Sequence, residues 1–201
     1  MRDPDGTLGT PFRLTIIIDP MNKILIYGAP GSGKTTLSLE LQKKFHYPLV
    51  EADFLREVVA QKEKTREEDP FVWVGTKEAY REFGKLTEEN VTKGLRAVRN
   101  SMAPYVENEM AKYPDKLIME AAFLNPALVA PHGKLILVVT PDEKKHYSQY
   151  FKHREHSDLQ EEIFRAVRII QDYLIREAKE YQVVVVENDG DVEQLASRLD
   201  L

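Results

Sequence analysis

The chain has 201 residues, 42% of them hydrophobic and 30% charged, with ten Gly and eleven Pro, enough for one well-cored domain with an inserted lobe. Its 33 acidic and 28 basic side chains are interspersed and leave a net charge of −5, which disfavours a duplex-binding surface while leaving room for a local basic patch against a phosphorylated substrate. The absence of cysteine excludes disulfides and thiolate metal sites. No apolar run approaches the roughly 18 residues of a membrane span, and the N-terminus lacks a signal-peptide core, so a cytoplasmic protein is expected.

Residues 1–20, "MRDPDGTLGTPFRLTIIIDP", are broken by Gly and Pro and read as a leader or over-extended start before Met21 rather than as an extra edge strand. Five apolar runs then follow: "KILIYG" (23–28), "PLVEA" (48–52), "KLIMEAA" (116–122), "KLILVVT" (134–140) and "QVVVVEN" (182–188). Each is nearly continuous in apolar residues, as in parallel strands covered on both faces. Helical patterns separate them, which predicts βαβ units and a doubly wound α/β sheet.

The first run leads into Gly28-Ala29-Pro30-Gly31-Ser32-Gly33-Lys34-Thr35-Thr36, which fits G-x-x-x-x-G-K-[ST]. Glycines let successive backbone N–H groups turn inward as an anion nest, and the following helix adds its positive N-terminal end. Lys34 is expected to reach the β- and γ-phosphates and Thr35 to hold Mg²⁺, so the loop reads as a site for nucleoside triphosphate. Leu37, Leu41 and Phe45 place an apolar face on the helix behind it.

The second run ends in Glu51-Ala52-Asp53-Phe54-Leu55-Arg56. The carboxyl edge of such a sheet is where ligands sit. There Asp53 is placed to take the proton of an acceptor hydroxyl, and Arg56 to fork onto an acceptor phosphate or carboxylate. A helix cap and a solvated arginine are the plainer alternative for the pair. The residues between the second and third runs, 53–115, far exceed one crossover and predict an acceptor lobe, with its longest helix broken at Pro104. Phe71, Trp73, Tyr80 and Phe83 lie in that lobe as stacking candidates or as its core.

The third run closes on Glu120, a carboxylate that would hold the metal's water shell, touch the acceptor or share in proton abstraction. After the fourth, Thr140, Pro141 and Glu143 suggest a capping box. The stretch 144–158, "KKHYSQYFKHREHSD", is polar and basic and has the character of a mobile lid. Lys144, Lys145, His146, Lys152, His153 and Arg154 crowd it, with Arg165 and Arg168 following. An arginine on a closing lid supplies positive charge to a transferring phosphoryl group, and Arg154 is the first candidate. Ser157 with Gln160 suggests a second box, opening a long helix with Leu159, Ile163, Val167, Ile170, Leu174 and Ala178 on one face. His146, His153 and His156 lack the companion carboxylate and spacing of a zinc motif, and His46 and His132 stand alone, so all read as solvated or capping.

No Asn-Lys-x-Asp guanine reader appears, since "NDGD" (188–191) has Asp where Lys belongs. No "LSGGQ" signature appears either, and one small domain is short for an AAA-type motor. A small-molecule kinase remains. The strand end "MEAAFLNP", the lid "HYSQYFKHRE" and the helix and strand "EEIFRAVRIIQDYLIREAKEYQVVVVEN", with the phosphate loop and "DFLREV", resemble the archaeal 2-phosphoglycerate kinase family over residues 23 to 190. That family is akin to the adenylate kinase, gluconate kinase and zeta-toxin group. The resemblance implies ATP-dependent phosphorylation of a hydroxyl on a small anionic metabolite, with 2-phosphoglycerate the named candidate. It also implies Lys34 and Thr35 as phosphate and Mg²⁺ residues, Asp53 as base, Arg56 as acceptor clamp, and Arg154 and Arg168 as lid-side charges. The residues before Met21 are too few for the additional N-terminal nucleotide-binding region that the resemblance would bring.

The combined expectation is a P-loop kinase with a five-stranded parallel sheet ordered 2-3-1-4-5 and helices on both faces. Its acceptor lobe would lie near 54–115 and its lid near 144–158, using ATP and Mg²⁺ on a small-molecule acceptor. A monomer and a dimer are equally open. Two rivals stand beside it: a nucleotide or RNA-end kinase using the lobe's aromatics, and a regulatory module that closes on ATP without phosphorylating a metabolite.

Overall fold

The computed structural model describes residues 23–181 and 183–190, together with Ala196 and Leu199. The leader expected at 1–20 lies outside the described residues. Strands β1 (Lys23–Tyr27), β2 (Leu49–Glu51), β3 (Leu117–Glu120), β4 (Lys134–Val139) and β5 (Val184–Glu187) form one parallel sheet, in the order β2-β3-β1-β4-β5. Ile24 on β1 stands opposite Ile118 on β3 and Lys134 on β4, which brings the carboxyl ends of these strands to one edge.

Strand periodicity divides the apolar runs between two cores. Leu25, Tyr27, Leu117, Met119, Leu135, Leu137 and Val139 face one side, where helices α3 (Glu88–Ala111) and α6 (Asp158–Ala178) cover them. Ile24, Ile26, Ile118, Ile136 and Val138 face the other, under Leu37 and Leu41 of helix α1 (Lys34–Phe45). The expectation that every strand is covered on both faces fails at the edge: Val185 on β5 is 45% exposed, because an edge strand has a neighbour on one side only.

Pro104 does not break its helix. α3 runs through it for 24 residues, from a cap in which the Thr87 hydroxyl accepts the Asn90 N–H at 3.1 Å. A proline costs one intrahelical bond and strains one turn. Val91, Leu95, Val98 and Met102 before it, with Val106 and Met110 after it, bury a continuous stripe that holds the helix together. Between β2 and α3 a π-helical turn, Leu55–Ala60, continues into α2 (Gln61–Glu63) and is followed by 3₁₀ turns at Pro70–Val72 and Ala79–Glu82.

After β4 come α4's successors in the chain, α5 (Glu143–Phe151) and α6; α4 itself is the short turn Pro126–Val129 ahead of β4. Thr140 does not cap α5. Its N–H and carbonyl are both taken by the Gln171 amide, at 2.8 and 3.0 Å, and its hydroxyl donates to Gln149 at 2.9 Å. Asp142 caps instead, accepting the Lys145 N–H at 3.0 Å. Ser157 caps α6 as expected, accepting the Gln160 N–H at 3.3 Å, but the Gln160 side chain accepts from the Tyr150 hydroxyl rather than closing the box. Leu159 leaves the expected apolar stripe and is 51% exposed. Phe164 anchors that end of α6 in its place, within ring contact of Tyr147, Tyr150 and Phe151.

Candidate active site

The phosphate loop turns where glycine permits it. Gly31 has φ +82°, and a Cβ there would stand 3.1 Å from the Tyr150 Cα, so the loop lies directly against α5. Gly28, Ala29 and Ser32 are buried, and Gly33 precedes the first turn of α1. Around them is a cavity of about 400 Å³ lined by Gly31, Gly33, Lys34, Thr35, Thr36, Gln149, Lys152, His153, Asn188 and Gly190. Lys34 is 8% exposed and its ammonium donates to the Ala29 carbonyl at 3.3 Å. A lysine folded back on its own loop is poised to exchange that carbonyl for phosphate oxygen.

Thr35 donates its hydroxyl proton to Glu120 Oε1 at 2.7 Å. Glu120 is 6% exposed, and burial raises its pKa while the Lys34 charge and the Thr35 bond pull it back. A buried carboxylate in this position calls for a cation. Among the described residues no three His, Asp or Glu side chains cluster as a metal site. The adjacent hydroxyl and carboxylate oxygens nevertheless suit Mg²⁺, which prefers oxygen donors and takes few from protein when phosphates supply the rest.

A second cavity of about 130 Å³ adjoins the loop at Pro30 and is lined also by Asp53, Arg56, Gly75, Thr76, Lys77, Ala122, Phe123 and Arg154. It brings together Asp53, Arg56 and Arg154, which the sequence holds up to 101 positions apart. Three cations and one carboxylate face this space. Arg56 lies close against Gly75, with Nη1 3.3 Å from where a Cβ would stand, and its buried Nε has no hydrogen-bond partner. Its nearest carboxylate is that of Glu57, at 3.6 Å. Burial lowers the Lys77 pKa; Glu78 opposes this, and the Arg154 and Arg56 charges add to it. Arg154 donates to the Tyr150 carbonyl and lies 4.2 Å from the Tyr150 ring centroid, with the Lys77 ammonium 5.7 Å from the same ring.

Arg168 lines neither cavity. Its guanidinium donates to the carbonyls of Thr140 and Pro141, at 2.9 and 3.1 Å, and to His146 Nδ1 at 3.0 Å. His146 is not solvated: it is fully buried, with its ring edge-on to Phe164, and burial brings its pKa down to about 4. The basic stretch expected as a lid is half helix, with His146, Tyr150 and Phe151 buried and residues 152–157 exposed beyond them.

Lys77, Asn188 and Gln149 went unnoticed in the sequence. Asn188 directly follows a strand end, the same signal that pointed to Asp53. Gln149 and Lys77 sit in no motif. The lobe's aromatics are committed elsewhere: Phe71 stacks on Phe83 at 5.6 Å, the buried Tyr80 bonds Glu162, and the Trp73 indole donates to the Lys64 carbonyl. None of the four lines either cavity described above.

The sequence profile of the AAA domain family matches residues 23–195. The chain belongs to the AAA domain family. One small domain reads as short for an AAA-type motor, and the family match concerns the domain at residues 23–195. A 2-phosphoglycerate kinase of Methanocaldococcus jannaschii is 25% identical over 179 residues, 82% of this chain and 58% of that protein. An uncharacterized protein of Dictyostelium discoideum is 25% identical over 193 residues, 87% of this chain and 23% of its own length. The chain thus spans only about a quarter to somewhat over half of these relatives.

Among solved structures, the shikimate kinase of Acinetobacter baumannii in complex with shikimate superposes with a TM-score of 0.56 at 15% identity, covering 88% of this chain and 89% of that one. The shikimate kinase of Bacteroides thetaiotaomicron gives 0.54 at 14% identity, covering 88% and 94%. This AAA domain protein therefore has the P-loop kinase fold. Among its described residues no helix is long and apolar enough to cross a membrane.

Proposed function

We propose that this protein is an ATP-dependent kinase that transfers the γ-phosphoryl group to a hydroxyl of a small anionic metabolite, with 2-phosphoglycerate the first candidate acceptor. The observation that carries this reading is the 130 Å³ cavity beside the phosphate loop, where Arg56, Lys77 and Arg154 face one carboxylate, Asp53. Cations gathered in a small pocket repel one another, and an anionic ligand relieves that cost. The relative named 2-phosphoglycerate kinase and the P-loop kinase fold support the same reaction class.

In this mechanism the triphosphate lies along the loop, with Lys34 on its terminal phosphates; Thr35 and the Glu120 carboxylate would hold Mg²⁺, which would neutralise phosphate charge. Arg56 and Lys77 hold the acceptor's anionic group. Asp53 accepts the hydroxyl proton as the oxygen attacks the γ-phosphorus, the bond from that phosphorus to the β–γ bridging oxygen breaks to release ADP, and Arg154 offsets charge on the transferring group. The residues near 54–115 serve as the acceptor lobe, and 152–157 form the movable part of the lid. The cavity's size favours a metabolite over a nucleotide or RNA end, and Phe71, Trp73, Tyr80 and Phe83 do not line it.

The test is ATP consumption by the purified protein against phosphorylated and carboxylated hydroxy-metabolites, 2-phosphoglycerate first, with nucleoside monophosphates and RNA 5′-ends beside them. Stimulation by an anionic hydroxy-metabolite is the expected result. A response confined to nucleotides or RNA would reassign the cavity, and ATP binding with no acceptor response would point to a regulatory module.

A further inference from the structure

The phosphate loop is held by two buried side chains that its own motif does not contain, those of His146 and Asn188. His146 Nε2 lies 3.0 Å from the Pro30 carbonyl oxygen, and Arg168 Nη1 lies 3.0 Å from His146 Nδ1. A guanidinium only donates and a carbonyl only accepts. Nδ1 must therefore be the acceptor, and the ring carries its one proton on Nε2, directed at Pro30. A protonated ring would set an N–H against the arginine, and burial keeps the ring neutral. Arg168 is itself fixed by the Thr140 and Pro141 carbonyls, so the tautomer is locked by the end of β4. On the other flank, Asn188 Nδ2 donates to the Ser32 carbonyl at 2.9 Å.

These contacts bear on the phosphate side through the geometry of the peptide unit. None of the described peptide bonds is cis. In a planar trans peptide the N–H points opposite to the carbonyl of the preceding residue. Drawing the Pro30 carbonyl towards His146 turns the Gly31 N–H the other way, and drawing the Ser32 carbonyl towards Asn188 does the same for Gly33. Both glycines line the 400 Å³ cavity. A glycine has little conformational preference of its own, so an anion nest built on it needs outside support to keep its donors aimed.

We propose that His146 is a positioning residue for triphosphate binding: held in its Nε2–H tautomer by Arg168, it fixes the Pro30–Gly31 peptide plane so that the Gly31 N–H faces the phosphates. This rests on the reading of the cavity as the triphosphate site, and it is independent of the acceptor.

The test compares wild type with His146→Phe and His146→Gln by calorimetric titration with Mg·ATP, alongside ¹⁵N spectra of the histidine side chains without nucleotide at pH 7. Phe keeps the ring packing and loses both nitrogens; the Gln amide can still donate near the Nε2 position. The expected results are an Nε2–H tautomer for His146, ATP affinity about tenfold weaker in the Phe variant, and recovery to within about threefold of wild type in the Gln variant. Thermal unfolding of the nucleotide-free proteins controls for folding. An Nδ1–H tautomer, or equal ATP affinity in wild type and a folded Phe variant, would overturn the proposal. Failure of wild type itself to bind ATP would instead sink the functional reading, and the tautomer would still decide the contact.

Discussion

Two arginine clusters in this molecule stand in opposite electrostatic circumstances. Between α3 and α6, Arg99 is 3% exposed and meets Glu177 with two parallel bonds of 2.8 and 2.9 Å, while the Tyr173 hydroxyl donates to the same carboxylate at 2.9 Å. Beside the phosphate loop, Arg56, Lys77 and Arg154 line a cavity with one lining carboxylate, Asp53, and the ion pair of Arg56 with Glu57 is longer, at 3.6 Å. Arg56 and Arg99 each keep a buried Nε without a hydrogen-bond partner. The first cluster pairs its guanidinium with a carboxylate through two short bonds and joins two helices. The second has more cations than carboxylates lining its cavity, and an anion there would balance it. Charge on an arginine says little about function; what the surrounding carboxylates leave uncompensated says much more.

The strongest way to break that contrast is Asp53→Asn. If the second cluster holds an acceptor, acceptor-dependent phosphoryl transfer should fall about 10³-fold, with ATP affinity by calorimetry retained. An unchanged rate would mean that Asp53 takes no proton. Glu177→Gln probes the other cluster and should cost about 3 kcal/mol of stability by denaturant titration, because it strands Arg99 in a buried site. The acceptor KM of the folded variant should not move. The paired replacement Arg99→Met with Glu177→Leu should recover most of the loss.

Lys77→Met sharpens the comparison from the cavity side. It should raise the KM for an anionic acceptor about 10- to 100-fold, leave kcat nearly unchanged, and leave stability equal or slightly higher, since it removes a crowded charge rather than a paired one. A pH-dependent effect attaches to His146. Its pKa is brought down to about 4 from an ordinary 6.5, so the unfolded chain takes up a proton between these values and the folded protein does not. Stability should be intact above pH 6.5 and decline as pH falls towards 4, by at most about 1.4 kcal/mol per pH unit. His146→Phe should flatten that slope in chemical unfolding measured across the window.

Periodicity and strand-end position made much of this legible beforehand. The five apolar runs and the loop motif lead directly to the sheet and the cavity at that loop, because parallel strands and anion nests impose local rules on composition. Asp53 and Arg56 were visible from their place after β2. Pro104 misled because a local rule was set against a packed stripe spanning the proline, and packing won. Thr140 misled in the same way, its hydrogen-bonding groups being claimed by Gln171 and Gln149 from distant turns. Lys77 sits in no sequence motif, and His146 read as solvated or capping where it is fully buried. Their significance lies in what surrounds them, a cavity for one and a loop carbonyl for the other.

The most direct test of the uncompensated cluster is acceptor-dependent ATP consumption with 2-phosphoglycerate and related hydroxy-acids, measured on wild type and Lys77→Met with ATP affinity taken on the same samples. The account predicts turnover by wild type, and in the variant a KM raised at least about tenfold with ATP affinity preserved. Equal KM values in the two proteins, or turnover that ignores anionic acceptors altogether, would contradict it.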